Sequence, residues 1–446
     1  MKKFKKFIVT LIFVLLISML CMAEDFEWVT ATRIGNPNAE IVLTANVQRE
    51  SSPLTPYPTR REYMIRKATE WAKAHPNVRI DLQVPPAGQI AENMAKLLTQ
   101  AEAGNAPDFA HIDSFWVGHF INAGYLQPLN QYLTQQDIDA FFDFTKEVTM
   151  VENKMYAIWG ETDVRFLYYR KDWMDSPPRT WDEVIEIGLK IKKELPNVYP
   201  YLTAIGQWEG AANEGTWPYF WAQGGEIFDP DTGEPIIGVG KNREALINVF
   251  EYHKRLVDTG VMPLMVISFT GMDPLLAEAQ ADNVAMMIQG SWAYGQLQDI
   301  VTDFDNKWDF THIPQMEPDQ YGTSAGGWTW GVFTDDPVKQ ELAVDYIMYT
   351  VGSPEAMAER CRISNYIPTR KDVFEIDPFF SIDPIQQRYA EALTYARPRP
   401  AHPLYTICSD LVQKAIGDVI LGRKTPEKAV DDIQSELMKE WERIKP

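Results

Sequence analysis

The stretch "GTSAGGWTWGVF", residues 322–333, can be read in two ways. Gly322-Thr-Ser324-Ala-Gly326 spells G-x-S-x-G, the elbow that presents a serine nucleophile on a sharp turn between a strand and a helix. The remainder, from Gly326-Gly327 through Trp328 and Trp330, alternates as a strand does, with both indoles on one face. An elbow needs a strand before the serine and a helix after it. Here "QMEPDQY", acidic and interrupted by proline, comes before, and alternating aromatics follow. The context argues against an elbow on both sides. Ser324 is expected in a loop, with a strand starting at the glycines.

Outward from that stretch, Asp336-Pro337 places a capping carboxylate before a proline at the first helical position, and Ser353-Pro354 and Thr425-Pro426 repeat the device. Thr180-Trp-Asp-Glu183 is a capping box. Near the other end, "EIVLTANVQ" has the composition of a buried strand. Met64, Ala68, Trp71 and Ala72 then mark a helix, and "VRIDL" a second strand. A further helix, "AENMAKLLTQAEAG", leads to "DFAHID". Alternation of this kind predicts an α/β fold with largely parallel sheets. "WVTATRIGNPNAE", ahead of the first strand, is expected to be flexible. "FDPDTGEP" reads as a tight turn rather than a calcium loop, because most ligands of the twelve-residue pattern are missing.

The chain has 446 residues, 45% hydrophobic and 23% charged, which is ordinary for a globular protein of two or three domain-sized units. "MKKFKK" followed by "FIVTLIFVLLISMLCM" is a basic segment and an apolar core ahead of Ala23, the pattern of a secretory signal over residues 1–23. Cleavage is expected after Ala23. Lipidation at Cys21 is disfavoured by Leu20, which stands where a small residue is wanted. Loss of that segment removes four lysines and no acid, taking the formal net charge from −20 to −24. Such a surface repels nucleic acid and anionic lipid. Cys361 and Cys408 then remain, too few for a disulfide framework and expected as buried thiols. No P-loop is present, since "GVGK" lacks the spacing and the Ser/Thr, and no histidine spacing fits zinc. The residues therefore imply neither a cofactor nor a metal. A pair of glycosidase carboxylates stays open among 62 acids.

Taken in order, several segments resemble one family. They are "AEAGNAPDFAHIDSFWVGHFINAGYLQPL" (101–129), "MYAIWGETDVRFLYYRKDWM" (155–174), "NVAMMIQGSWAYGQL" (283–297), "GGWTWGVFTDDPVKQELAVDYIMY" (326–349) and "GRKTPEKAVDDIQ" (422–434). The chain resembles the carbohydrate-binding branch of the extracytoplasmic solute-binding proteins of ABC importers, which includes maltose-binding protein. Arg170 departs from the family's usual asparagine, and Val430 from its leucine. Phe115 and Trp116 stand where maltose-binding protein carries a charged pair.

The resemblance implies a two-lobed α/β fold of the periplasmic-binding-protein kind, with the ligand in a cleft between lobes joined by hinge crossings. It places lobe one at 40–160 and 312–376 and lobe two at 164–308 and 380–446. It implies a monomeric, exported receptor that captures a sugar by closure, hands it to the permease subunits of an importer and performs no chemistry. The alternative is an exported carbohydrate-active hydrolase or lyase.

Sugars offer an apolar face for stacking and a rim of hydroxyls for planar polar side chains. By that chemistry and the resemblance, Trp292 is the first candidate for ligand contact, against core packing beside Met286 and Met287. Trp328 and Gly327 are next, against an ordinary buried strand with a glycine bend; Trp330 is expected in the core. Asp113 and Trp116 follow a strand at its C-terminal end, where open α/β sheets place ligands, with helix capping the alternative for Asp113. Asp163 and Arg165 lie at an inter-lobe crossing, where they can pair with each other. Gln48 and Arg49 end the first strand. Trp217 is a cleft candidate on a helix whose Trp221 also feeds a core.

Overall fold

The computed structural model describes residues 26–86 and 90–445. The expected signal at 1–23, its cleavage point and Cys21 lie outside them. The chain folds into two α/β lobes, each built on its own sheet. In the first, Ile41–Asn46 pairs in parallel with Val78–Gln83 on one side and Phe109–Asp113 on the other. Helix Pro58–Ala74 connects the first two of these strands and Ile90–Glu102 leads to the third. Pro58 sits at the start of its helix, where its missing N–H costs nothing. Met64, Ala68, Trp71 and Ala72 are buried, and the Trp71 indole N–H donates to Asp345 Oδ2 at 2.6 Å.

Two expectations fail here. The segment ahead of the first strand is ordered: Arg33–Gly35 forms an antiparallel edge strand against Val78–Gln83, and Val29 and Ile34 enter the core. Apolar residues next to an unpaired strand edge explain the difference, since pairing satisfies backbone groups that the edge would otherwise expose. Nor are the sheets largely parallel. Thr323–Val332 runs antiparallel to both Phe109–Asp113 and Ala157–Asp163. In the second lobe, Val284–Gly290 pairs in parallel with Tyr199–Leu202 but antiparallel with Arg165–Arg170, which itself pairs antiparallel with Trp308–Thr311. Strands that carry the chain from one lobe to the other enter their sheets from the opposite direction to the βαβ strands.

The predicted helix starts are present. Asp336, Ser353 and Thr425 each accept a hydrogen bond from the backbone of the first helical turn. Thr180 accepts from Glu183 N at 3.2 Å, but Glu183 reaches Arg179 N rather than Thr180 N. Asp229 Oδ1 accepts from Asp231 N and Thr232 N, which makes "FDPDTGEP" the turn its composition suggested. Cys361 and Cys408 are buried free thiols.

Candidate functional site

Strand Thr323–Val332 lies along the crossing between the two sheets. Its first three residues pair in parallel with Ala396–Pro398, and the rest pair with Ala157–Asp163 and Phe109–Asp113. Thr323 Oγ1 accepts from Arg165 N at 2.7 Å and donates to Arg165 O at 2.9 Å, which ties the strand to the crossing at residues 163–165. Ser324 is thus in a strand, not the expected loop. It is fully buried, and its hydroxyl donates to Asn213 O at 2.9 Å, with no helix following. This is not a nucleophile's setting.

The paired glycines do different things. A side chain on Gly327 (φ 143°) would place Cβ 2.3 Å from Glu161 O, so the neighbouring strand and the backbone conformation both require glycine. A Cβ on Gly326 would lie 3.2 Å from Arg399 Nη2, 3.5 Å from Arg165 Nη1 and 3.5 Å from Asp163 Oδ1. Gly326, rather than the predicted Gly327, is the one that clears space among charged side chains.

Those side chains form one buried group. Arg165 ion-pairs with Asp163, and its Nε donates to Glu214 Oε1 at 2.9 Å. Arg399 Nη2 donates to Asp113 Oδ1 at 2.5 Å, and Nη1 to Glu209 Oε1 at 3.3 Å. Asp113 does precede helix Ser114–Asn122, but its side chain makes no capping bond; it is spent on Arg399, 286 positions away. Glu209 is held by Tyr405 Oη and Ser409 Oγ, each at 2.6 Å. Trp217 is fully buried behind this wall and donates its indole N–H to Tyr405 Oη at 2.8 Å, so it supports the group rather than facing the cleft.

Burial pushes the carboxyls of Asp113, Asp163 and Glu214 above their usual range, against the pull of the adjacent guanidiniums. Arg165 and Arg399 are each held charged by two flanking carboxylates, which outweigh their own burial. Several buried polar atoms here have no hydrogen-bond partner among the described residues: Glu214 Oε2, Asn213 Oδ1, Arg399 Nε and the Trp116 indole N–H. Such atoms are costly unless something else satisfies them.

Aromatic faces surround the group. Trp292 is half-buried, packs against the cores of both lobes and carries Arg165 over its ring at 4.9 Å. Trp116 is half-buried too, and with Phe115, His402 and Pro403 it lines a cavity of about 260 Å³ between the lobes. Phe115 in turn carries the Arg399 guanidinium at 4.2 Å. Trp328 is half-buried and lies 5.0 Å from His111, while Trp330 stacks on the same imidazole at 4.4 Å inside the core.

Gln48 and Arg49 are placed apart from this group, at a second approach of the lobes. Gln48 precedes the short 3-10 helix Arg49–Ser51, and its Nε2 is buried without a partner. Neighbouring Glu50 feels Arg49, Arg60 and, from the other lobe, Asp273; burial raises its carboxyl.

The structure thus gathers Asp113, Asp163, Arg165, Trp116, Trp292 and Trp328, and adds Arg399, Glu209, Glu214 and Tyr405, which the sequence reading missed. The one available signal was Arg397-Pro-Arg399-Pro, arginines in a proline-bound segment beside a crossing. Among the described residues, no cluster of His, Cys, Asp or Glu is arranged to hold a metal ion.

Two α/β lobes strung on shared strands, with an incompletely satisfied polar group walled by indoles between them, define a hinged ligand receptor. The chain belongs to the bacterial extracellular solute-binding protein family, which it matches over residues 56–355. It is 25% identical over 390 residues to a maltotriose-binding protein of Pyrococcus abyssi, covering 84% of this chain and 77% of that one. It is 24% identical over 332 residues to an arabinooligosaccharide-binding protein of Halalkalibacterium halodurans, covering 70% and 69%. The fold matches maltose-bound MalE3 of T. maritima with a TM-score of 0.76 at 21% identity, over 89% of this chain and 99% of that one. It also matches the GacH receptor of Streptomyces glaucescens, solved unliganded and with acarbose, at 0.74 and 20% identity, over 90% and 99%.

Proposed function

We propose that this protein is an extracytoplasmic sugar receptor of an ABC importer, which closes its lobes on a carbohydrate and delivers it to the membrane permease. The observation that carries this reading is the buried inter-lobe group. Asp113 from one lobe and Arg399 and Glu209 from the other meet there, polar atoms are left over, and Trp116, Trp292 and Trp328 stand beside them half-exposed. Indoles take the C–H face of a sugar and the polar atoms its hydroxyls. Contacts made from both lobes exist only in the closed form, so a ligand that makes them shifts the hinge equilibrium toward closure. The sugar-binding names of the relatives support the substrate class.

In this reading residues 40–160 and 312–376 move as one lobe against 164–308 and 380–446, with Arg33–Gly35 travelling with the first. The ligand touches Asp113, Asp163, Arg165, Trp116, Trp292 and Trp328 and, further out, Gln48 and Arg49; Gly327 and Trp217 shape the walls. The chain is exported by a signal cleaved after Ala23, works as a monomer and binds no nucleic acid. It catalyses no reaction. A thermal-shift screen of the mature chain against a panel of sugars, with product analysis of each hit, tests this. A rise in melting temperature with the sugar recovered intact is expected, about 2.7 kcal/mol of stabilisation at a hundredfold excess over Kd. Consumption of a sugar without any shift would point instead to a carbohydrate-active enzyme.

A further inference from the structure

Resting on the sugar-receptor reading, the charge count of the same group narrows the ligand. Asp113, Asp163, Glu209 and Glu214 face only Arg165 and Arg399, a formal charge of −2 in a buried place. The group is continuous: Arg165 and Arg399 act on one another and on Glu214, and both border the space above Gly326. Buried charges of one sign in excess are disfavoured unless a counter-charge joins them.

The unpartnered atoms show where one would join. Asn213 Nδ2 donates to Glu214 Oε1 at 3.2 Å, while Asn213 Oδ1 has no partner among the described residues. Glu214 Oε1 takes this donor as well as Arg165 Nε, which leaves Oε2 free. Two neighbouring side chains, each about 97% buried, therefore offer two acceptors and no donor. An ammonium supplies several donors, no acceptor and the missing positive charge. Arg399 Nε, a free donor, suits a hydroxyl or ring oxygen. A metal ion fits poorly, because the carboxylates are drawn toward guanidiniums and no metal-binding cluster forms among the described residues.

We infer that the site selects sugars bearing a protonated amino group, over neutral sugars and against uronates. The amine sits at Glu214 Oε2 and Asn213 Oδ1. Uronates are rejected because a third sign-matched charge would enter a group already short of cations.

Isothermal titration of the mature chain with deacetylated chitotriose, cellotriose, maltotriose, arabinotriose and cellotriuronate tests the inference. Chitotriose is expected to bind about tenfold or more tighter than the best neutral trisaccharide, the scale of one charge-assisted hydrogen bond, and the uronate not to bind. Glu214→Gln should remove most of that advantage while its heat-unfolding transition stays cooperative. A neutral trisaccharide binding as tightly as chitotriose overturns the inference and leaves the sugar receptor standing, as does uronate binding. If none of the five sugars binds, the inference falls, and the receptor reading falls only if the wider thermal-shift panel is silent as well.

Discussion

Glu161 and Asp163 lie two residues apart on one strand, and each meets a buried arginine, but the two arrangements differ in kind. Glu161 receives Arg360 in a two-pronged grip, Nε to Oε2 at 3.0 Å and Nη2 to Oε1 at 2.8 Å, while Nη2 also donates to Ser51 Oγ at 2.9 Å and Nη1 to Met64 Sδ at 3.5 Å. One cation meets one anion, and neither leaves a polar atom unpartnered among the described residues. The group around Asp163 has more acids than bases, free acceptors and contributions from both lobes. A buried ion pair that is balanced and fully bonded can only hold the fold together. One that is unbalanced and incompletely bonded has work left for a ligand.

Three substitutions probe that contrast. The largest effect is expected inside lobe one: Glu161→Gln leaves Arg360 buried without its counter-charge and should cost about 3–5 kcal/mol in urea unfolding. A cost under about 1 kcal/mol would mean that the grip is ornamental. Next, Trp292→Ala should weaken sugar binding at least about 30-fold, the effect of losing a central aromatic anchor, while a cooperative unfolding transition persists. Unchanged affinity would return Trp292 to the role of core filler.

The smallest effect has the opposite sign to the first. Burial raises the folded carboxyl of Glu214, so its ionisation is costly in the folded state at neutral pH, and that cost fades as pH falls through the raised value toward the unfolded one. Glu214→Gln should therefore melt slightly higher than the parent at about pH 8, and the gap should close by about pH 4, near the ordinary carboxylate value. A Glu214→Gln protein that melts several degrees lower at pH 8 would place this group with the Glu161 fastener.

What could be read from the sequence follows from what is local. Helix starts at Asp336, Ser353 and Thr425 and the βαβ run depend on residues within a few positions of one another, and they were visible. So were Asp163 and Arg165, which sit two apart. Arg399 and Asp113 are separated by 286 positions, and Glu209 reaches the site through a helix start in the other lobe; no spacing advertises such a meeting. The glycine pair shows a finer limit. Both residues were legible as places without bulk, but which of them clears the charged side chains depends on the register of strand Thr323–Val332 against Ala157–Asp163, where the pairing skips Gly160.

That strand also fixes how the protein can be taken apart. Because the chain returns at Thr323–Val332 to the sheet of Phe109–Asp113 and Ala157–Asp163 only after building the four-stranded sheet, no single cut yields two self-sufficient halves. A fragment that keeps the strand carries an unpaired end, and one that lacks it loses its neighbour along a buried edge. Lobe exchange between relatives would have to carry this strand with partners from both parents at once. Altered specificity in this architecture is more readily reached by changing side chains along the cleft than by shuffling its halves.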